Sequence, residues 1–290
     1  MRRTSRAWAT DRIPLERLAT VEVMPILALR NRMHAFVEVD VTEARARLRA
    51  QRERTGERRS FTAFVVCCLA RAVDEHREVQ TFRRGRRLIA SDTVDVATLI
   101  EVVADGDAIP LPYVVRDAAH RSYEEIHRQL RSAQRDGRLV TEYRRRARPL
   151  RFVPRPLRWV GWQAFARATR LRMRLGGTVV VTSVGSVGAA RGWGLAESGY
   201  PATVTVGGIS RQPVLIDGQL VEREWLRLTV SLDHDVVDGA PAARFVDRLC
   251  QLLEQAHGLE EDVRGPGAGG EPVPEPGSGP TRGAAPPDIR

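Results

Sequence analysis

Apolar and polar side chains alternate along residues 226–232, where leucine and valine exchange with arginine, threonine and serine. A period of two residues predicts a β-strand with one buried face. The strand ends in the charged residues 233–235, and an Asp-Gly pair follows at 238–239. Residues 240–257 repeat their apolar positions at helical spacing, which predicts an amphipathic helix. His234 therefore lies where a buried strand ends and a turn leads into a helix, and polar side chains at such positions often form sites.

The same two periods predict further strands and helices along the chain. Strands are expected at residues 34–41, 94–103, 111–115 and 202–207 and in the valine run from 179, short extended pieces at 79–82 and 88–89, and helices at 43–54, 62–75 and 122–135. Thr42 is the expected N-cap of the first helix, and Ser122 and Glu125 have the spacing of a capping box. Asp-Gly pairs predict turns at 105–107 and, within a hairpin, at 217–218.

Residues 137–175 form a segment rich in arginine and aromatic side chains. From residue 156 onward its leucine, valine and alanine residues fall on one helical stripe, with Trp159, Trp162 and Phe165 beside it. Three interpretations stay open. The segment is a helix packed on the domain with its arginines in solvent, a basic amphipathic segment that contacts an anionic membrane through residues 150–175, or a docking surface for a partner protein.

The two ends of the chain differ in composition from its centre. Residues 1–20 predict an N-terminal arm and residues 21–258 one domain, whereas residues 259–290 are rich in Gly, Pro, Glu and Ala and predict a disordered tail. No stretch has the pattern of a signal peptide or a membrane span, so we expect a cytoplasmic protein. The three cysteines lie in apolar contexts without metal-ligand spacing, which predicts buried free thiols and no metal site.

The net charge is +10, and all 46 basic residues are arginine. A basic balance favours an anionic partner such as a phosphate-bearing ligand or an anionic membrane surface. We expect no nucleic acid partner, because the chain has no zinc spacing, stacking motif or recognition-helix signature. Since lipoyl and biotin groups are attached through a lysine amine, a chain without lysine cannot carry either group itself.

Residues 233–249, which read DHDVVDGAPAARFVDRL, resemble the end of the catalytic domain of the 2-oxoacid dehydrogenase acyltransferases. These are the E2 components, which share the chloramphenicol acetyltransferase fold. The family pattern D-H-R-x-x-D-G-A-x-x-A-R-F is matched except at Asp235, where the family usually has arginine. Other family motifs follow in the family's order at residues 38–42, 61–64, 105–106, 112–117, 122–125, 176–178 and 202–207. The resemblance covers roughly residues 30–257 and is interrupted by residues 137–175, where the family usually has a short linker.

This resemblance implies an α/β (α+β) two-layer sandwich of the chloramphenicol acetyltransferase type, with a mixed sheet and helices. It also implies a coenzyme A (CoA)-dependent acyltransferase that moves an acyl group between CoA and a dihydrolipoyl-type thiol or another acceptor. In the family the site is a tunnel at a trimer interface to which two subunits contribute, so we expect a homotrimer or a larger assembly. The lipoyl group would then come from a lipoyl domain on another chain, because the usual upstream lipoyl and subunit-binding domains are not recognised here.

The resemblance also implies the roles of individual residues. His234 would be the general base that takes the proton from the CoA thiol. Thr182 falls on the family's hydroxyl position and would donate a hydrogen bond to the oxyanion. Ser183 follows it and points to the other face of an ideal strand, which makes it a supporting candidate. Asp238, with Gly239 after it, would support the loop that carries the histidine.

Asp235 and the insertion at residues 137–175 keep a second hypothesis open. In the family an arginine near the N-terminus holds the supporting aspartate, and here Arg12, Arg17 and Arg30 are equal candidates. Asp235 reverses the charge beside the base, and two flanking acids favour imidazolium over imidazole. The alternative is a catalytically lapsed trimeric scaffold or a membrane-associated assembly protein. No residues are assigned to CoA binding from the sequence.

Overall fold

A six-stranded mixed sheet organises the computed structural model, which describes residues 13, 15–28, 31–104, 107–184 and 192–259. Its strands and those of a separate hairpin are β1 (Arg32–Asp40), β2 (Phe82–Arg84), β3 (Arg87–Ile89), β4 (Val96–Ala104), β5 (Asp107–Val115), β6 (Val179–Ser183), β7 (Ala202–Ile216) and β8 (Gln219–Asp233). The strand order is β1-β8-β7-β6-β4-β5, and β2 pairs only with β3. Strand β6 runs parallel to β4 and β7, whereas the other neighbours are antiparallel.

Eight α-helices accompany the strands within the described residues. They are α1 (Leu15–Leu27), α2 (Thr42–Thr55), α3 (Phe61–Glu75), α4 (Tyr123–Arg135), α5 (Arg138–Ala147), α6 (Arg155–Arg167), α7 (Thr169–Gly176) and α8 (Gly239–Glu254). Helices α2, α3, α4 and α8 contact the sheet and one another, and the core lies between these helices and one sheet face. The leucines and valine that alternate along β8 are buried there, and each fully buried side chain of this type stabilises the fold by about 1.5–3 kcal/mol.

Most predicted elements are present. The capping box joins Ser122 and Glu125 as expected, and Asp217 and Gly218 both have positive φ angles, as a two-residue hairpin turn between β7 and β8 requires. The prediction that Thr42 is the N-cap of α2 is wrong. Thr42 is the first residue of the helix and Val41 is the N-cap, and the Thr42 hydroxyl donates a hydrogen bond to the Asp40 carboxylate. The turn predicted at 105–107 lies largely outside the described residues.

The segment 137–175 folds as three α-helices, and the apolar stripe predicted from residue 156 is divided between α6 and α7 at Ala168. Helix α6 is held on α1 by Glu22, which accepts hydrogen bonds from Arg158 at 2.6 and 2.9 Å and from the Trp162 indole at 3.0 Å. The hydrogen-bonded Arg158 guanidinium lowers the pKa of Glu22. None of the described helices is long and apolar enough to cross a membrane.

Helix α1 continues across the predicted boundary between the arm and the domain, from Leu15 to Leu27. Residues 1–12 and 260–290 lie outside the described residues, so the predicted arm and the predicted disordered tail stay predictions.

Candidate active site

His234 follows the last residue of β8, and its backbone is fixed by the neighbouring strand β1. Its amide donates a hydrogen bond to the carbonyl of Asn31 at 2.8 Å. The amides of Val236 and Val237 both donate to the Asp233 carbonyl at 3.1 Å, which closes the turn after the strand. The imidazole is half exposed, with 50% of its side-chain surface accessible. The chain therefore presents this ring to a substrate from a rigid strand end.

Asp233 is buried beneath this turn, with 4% of its surface exposed. One of its carboxylate oxygens accepts a hydrogen bond from the amide of Asp235 at 3.0 Å. Burial is the largest influence on this carboxyl group and raises its pKa, although the same hydrogen bond and the charge of Arg32 act in the opposite direction. Asp233 therefore stabilises the turn through its hydrogen bond with the Asp235 amide, and its carboxyl group does not face the solvent.

Asp235, the departure from the family pattern, has two partners of its own. The side-chain amide of Asn31 donates to its Oδ1 at 2.8 Å, and Nη2 of Arg83 lies 3.1 Å from its Oδ2. Arg83 belongs to the β2–β3 hairpin, so a cation from another part of the chain compensates the reversed charge. Asn31 binds both His234 and Asp235, and together Asn31, Arg83 and Asp235 form what we call the loop clamp.

The predicted supporting residue Asp238 makes a looser contact. Its Oδ1 is 4.0 Å from Nδ1 of His234, and 90% of its side-chain surface is exposed. Asp238 is the N-cap residue of α8, where its carbonyl accepts from the Ala242 amide but its side chain makes no capping hydrogen bond, and a Cβ at Gly239 would meet no atom within 4 Å. Arg12 and Arg30 lie outside the described residues, and Arg17 is exposed on α1. The pairing of Asp238 with an arginine remains a prediction.

The two hydroxyl candidates lie at the end of β6 on opposite sides of the sheet. Val179 and Val181 are buried in the core, so alternation places Ser183 on the core side and Thr182 on the other face. Thr182 pairs with Thr205 of β7, which in turn pairs with Thr229 of β8. The Thr205 and Thr229 hydroxyl oxygens are buried and have no hydrogen-bond partner among the described residues. Thr182 thus belongs to a row of three hydroxyls across the sheet.

Thr182 and His234 do not meet within one chain. Thr182 is in register with Thr229, two strands away, and His234 lies five residues beyond Thr229. At 3.3 Å per residue and about 4.8 Å between strands, their Cα atoms are roughly 19 Å apart. That distance is far too long for one substrate carbonyl to touch both side chains. A site that uses both residues needs a second subunit.

Sequence reasoning missed Asn31 and Arg83. Arg83 is one of four arginines around the turn at Gly85, and nothing in the spacing of the sequence distinguishes it from Arg84, Arg86 or Arg87. Only the position of the hairpin beside the end of β8 identifies it. Asn31 precedes β1, and the antiparallel pairing of β1 with β8 brings it next to His234.

The mixed sheet places a histidine at the end of β8 and a threonine on β6. Residues 163–260 match the family described as 2-oxoacid dehydrogenases acyltransferase (catalytic domain). The matched range contains both His234 and Thr182. The matched range covers about a third of the chain, and for this part the resemblance drawn from the sequence is confirmed.

Two relatives illustrate how far the similarity extends. The chain is 26% identical over 231 residues to the lipoamide acyltransferase component of the branched-chain alpha-keto acid dehydrogenase complex of Bacillus subtilis (strain 168), a match that covers 76% of this chain and 46% of the relative. It is 26% identical over 256 residues to the dihydrolipoyllysine-residue acetyltransferase component of the pyruvate dehydrogenase complex of Corynebacterium glutamicum, covering 85% of this chain and 33% of the relative. The chain thus spans less than half the length of either.

Solved structures confirm the predicted fold. A probable dihydrolipoamide acetyltransferase from Listeria monocytogenes superposes with a TM-score of 0.61 at 21% identity, over 89% of this chain and 97% of that one. The cubic core of the pyruvate dehydrogenase multienzyme complex gives 0.59 at 19% identity, over 88% and 96%. At these identities the likeness establishes the mixed-sheet architecture, and the chemistry must be argued from the site.

Exchange of the charges in the loop clamp tests its contribution to the His234 loop. Arg83→Asp and Asp235→Arg each place like charges together, so each is expected to lower the free energy of unfolding and broaden the His234 imidazole NMR signals. The double variant restores the pair, with a coupling of about 0.5–1 kcal/mol for such partly exposed groups. Arg86→Asp in the same hairpin is the matched control. Strictly additive effects of the two substitutions would contradict the clamp.

The buried carboxyl of Asp233 makes a prediction about pH. Folding raises the pKa of Asp233, so the native state favours the neutral carboxyl group. Its contribution to the free energy of unfolding is therefore complete below the unfolded pKa of about 3.9 and is lost as the pH rises through the folded pKa. Asp233→Asn keeps an acceptor for the Asp235 amide without the charge. We expect this variant to be more stable than the wild type at neutral pH, with an advantage that shrinks on acidification. Denaturant titrations at several pH values measure this difference, and an advantage that grows on acidification would refute it.

Proposed function

We propose that this chain is a CoA-dependent acyltransferase that moves an acyl group between CoA and a dihydrolipoyl-type thiol. The observation that carries the proposal is the half-exposed imidazole of His234, fixed at a strand end within the part of the chain that matches the acyltransferase family. The relatives named above are lipoamide and dihydrolipoyllysine-residue acyltransferase components, which suggests a lipoyl thiol as the acceptor.

The chemistry follows from the two side chains. The neutral imidazole of His234 takes the proton of the attacking thiol, and the thiolate adds to the thioester carbonyl carbon. The carbonyl oxygen becomes an oxyanion, which accepts a hydrogen bond from the Thr182 hydroxyl. When the tetrahedral intermediate collapses, the carbon–sulfur bond to the first thiol breaks and the imidazolium returns the proton to that leaving thiolate. No proton or electron is gained or lost overall.

The geometry favours an assembly in which neighbouring subunits share each site. Because His234 and Thr182 lie roughly 19 Å apart within one chain, a homotrimer that brings the histidine of one subunit to the threonine of the next would complete the site. The cubic core among the similar structures is an oligomer of this fold, which supports such an assembly. Since residues 1–290 contain no lysine, the lipoyl group would be supplied by a lipoyl domain outside this sequence.

The lapsed-scaffold hypothesis loses its main support in the loop clamp. The Asp235 carboxylate is bound by Arg83 and Asn31, so its negative charge is compensated at a point where the family usually carries a positive one.

The three cysteines are free, which accords with the reducing cytoplasm expected from the sequence. We therefore favour an active enzyme in that compartment.

Mixed assemblies test the shared site. His234→Ala and Thr182→Ala should each reduce thioester formation from acetyl-CoA and dihydrolipoamide, the latter by about 10²–10³-fold. When the two inactive variants are co-expressed in equal amounts, random assembly leaves about one quarter of the shared sites with both groups intact. We therefore expect roughly a quarter of the wild-type rate.

Ser183→Ala is the matched control, because that hydroxyl lies on the core side of β6 and should be dispensable for the chemistry. An unchanged rate in His234→Ala would refute the proposed base. No recovery in the mixed assemblies would refute the shared site and leave the choice of residues intact.

We also propose that the outer face of α6 contacts an anionic membrane surface. Arg158 and Trp162 turn inward to Glu22, which leaves Leu157, Trp159 and Val160 exposed. Phe152, just before the helix, is 81% exposed. Residues 143–196 contain no acidic residue and twelve arginines, so the apolar face has a basic border. Aromatic and aliphatic side chains bordered by arginine are typical of helices that lie at the surface of anionic lipid.

Vesicle flotation tests this contact. Vesicles that contain phosphatidylglycerol should float the protein, and vesicles of phosphatidylcholine alone should not. Leu157→Ser combined with Val160→Ser should abolish flotation, whereas Leu220→Ser, an equally exposed leucine in the β7–β8 hairpin, should leave it unchanged. Equal binding of both vesicle types, or capture by nucleic acid in place of lipid, would refute the membrane proposal.

A further inference from the structure

A groove runs between the β2–β3 hairpin and α7. It consists of two adjoining cavities of about 560 and 460 Å³ that share Leu88, Ile89 and Arg170. The first is completed by Arg84 and Arg87, and the second by Ala90, Ser91, Asp92 and Met173. We call it the arginine groove.

The charge of the groove is strongly positive. Arg84, Arg87 and Arg170 line it, and Asp92 in the second cavity is its one carboxylate. None of these three arginines forms an ion pair with any residue that the structure describes, whereas the adjacent Arg83 is paired with Asp235. Three guanidinium groups around one concavity repel one another, and a bound anion relieves that repulsion. Arginine also binds phosphate through paired hydrogen bonds.

The two walls of the groove are held in place by other arginines. Arg172 of α7 lies 5.3 Å over the ring of Phe82 at the start of β2. Arg116 donates hydrogen bonds to the carbonyls of Met173 and Arg174, at 3.4 and 2.6 Å, and so fixes the last turn of α7. The groove therefore exists before any ligand binds, which lowers the entropic cost of binding.

The groove lies next to the candidate active site. The hairpin that forms one wall is attached by Arg83 to Asp235, the residue after His234. Arg83 and Arg84 are neighbours in β2, and side chains of neighbouring strand residues point to opposite faces. Arg83 thus faces the His234 loop while Arg84 faces the groove.

We propose that the arginine groove binds the phosphate groups of the thiol substrate, a phosphate ester with at least two negative charges and an apolar portion. Arg84, Arg87 and Arg170 would hold the phosphates, and Leu88, Ile89 and Met173 would pack against the rest of the ligand. Arg170 and Met173 belong to α7, so the groove combines this helix with the β2–β3 hairpin. The identity of the ligand as a thiol substrate rests on the proposed function, and the groove itself rests on its geometry.

Binding measured without turnover is the first test. Isothermal titration of the wild type with adenosine 3′,5′-diphosphate and with inorganic pyrophosphate should give saturable binding, tighter for the nucleotide because of its apolar contacts. Arg84→Ala and Arg170→Ala should each weaken nucleotide binding about tenfold, as expected when a charged hydrogen-bonding partner is lost. Arg86→Ala is the matched control, because Arg86 lies in the same hairpin and does not line the groove. Equal weakening by Arg86→Ala would attribute binding to general charge and overturn the proposal.

Kinetics then separate the groove from the chemistry. With acetyl-CoA, Arg84→Ala and Arg170→Ala should raise KM and leave kcat unchanged. With S-acetyl-N-acetylcysteamine, a thioester without phosphate, they should change neither constant. A wild type that transfers acetyl groups but binds neither phosphate probe overturns the groove and leaves the proposed function standing. A wild type that binds the nucleotide without any acyl transfer overturns the proposed function and its thiol substrate but keeps the phosphate site.

Discussion

The pairing of β8 with β1 is the constraint on which the candidate site depends. Strand β8 is bonded on both sides, by β1 and β7, and its leucines are buried against the helices, so its register cannot slip without exposing them. That register sets Arg32 opposite Asp233 and places Asn31 beside His234. The imidazole is therefore positioned by core packing, and the loop clamp adds a local restraint. Asp233, the buried residue before His234, stabilises the same turn through its hydrogen bond with the Asp235 amide.

The same rigidity separates the two halves of the site. Strands β6, β7 and β8 are adjacent, yet the register that pairs Thr182 with Thr205 leaves the threonine far from the end of β8. No rearrangement short of unfolding the sheet would bring Thr182 and His234 together. The proposed catalysis by both groups thus requires assembly, and an isolated subunit would hold the proposed base without the proposed oxyanion donor. The partly exposed end of β6 that carries Thr182 is where a second subunit would contribute.

The sequence predicted the parts of the fold that follow from local pattern. The alternation in β8, the capping box at Ser122 and Glu125, and the hairpin turn at Asp217 and Gly218 each depend on neighbouring residues, and each is present. The position of His234 could be predicted for the same reason. The partners of Asp235 could not, because Asn31 and Arg83 are more than 150 residues away and ordinary in sequence context. Helix α6 is a third case: its apolar stripe is present, but the partly buried Glu22–Arg158 contact turns that stripe outward.

Asp235 illustrates why a single departure from a motif is weak evidence against function. A carboxylate beside a catalytic imidazole alters the chemistry only if its charge is uncompensated, since a paired carboxylate exerts a much smaller field on its neighbours. Here the compensating cation comes from a short hairpin whose other arginines line a groove, so one element serves two purposes. Arg83 restrains the loop of the base, while Arg84 and Arg87 give the adjoining surface its positive charge. Asp235 and the basic hairpin therefore form one arrangement, in which the carboxylate at 235 is balanced by an arginine of the surface that faces it.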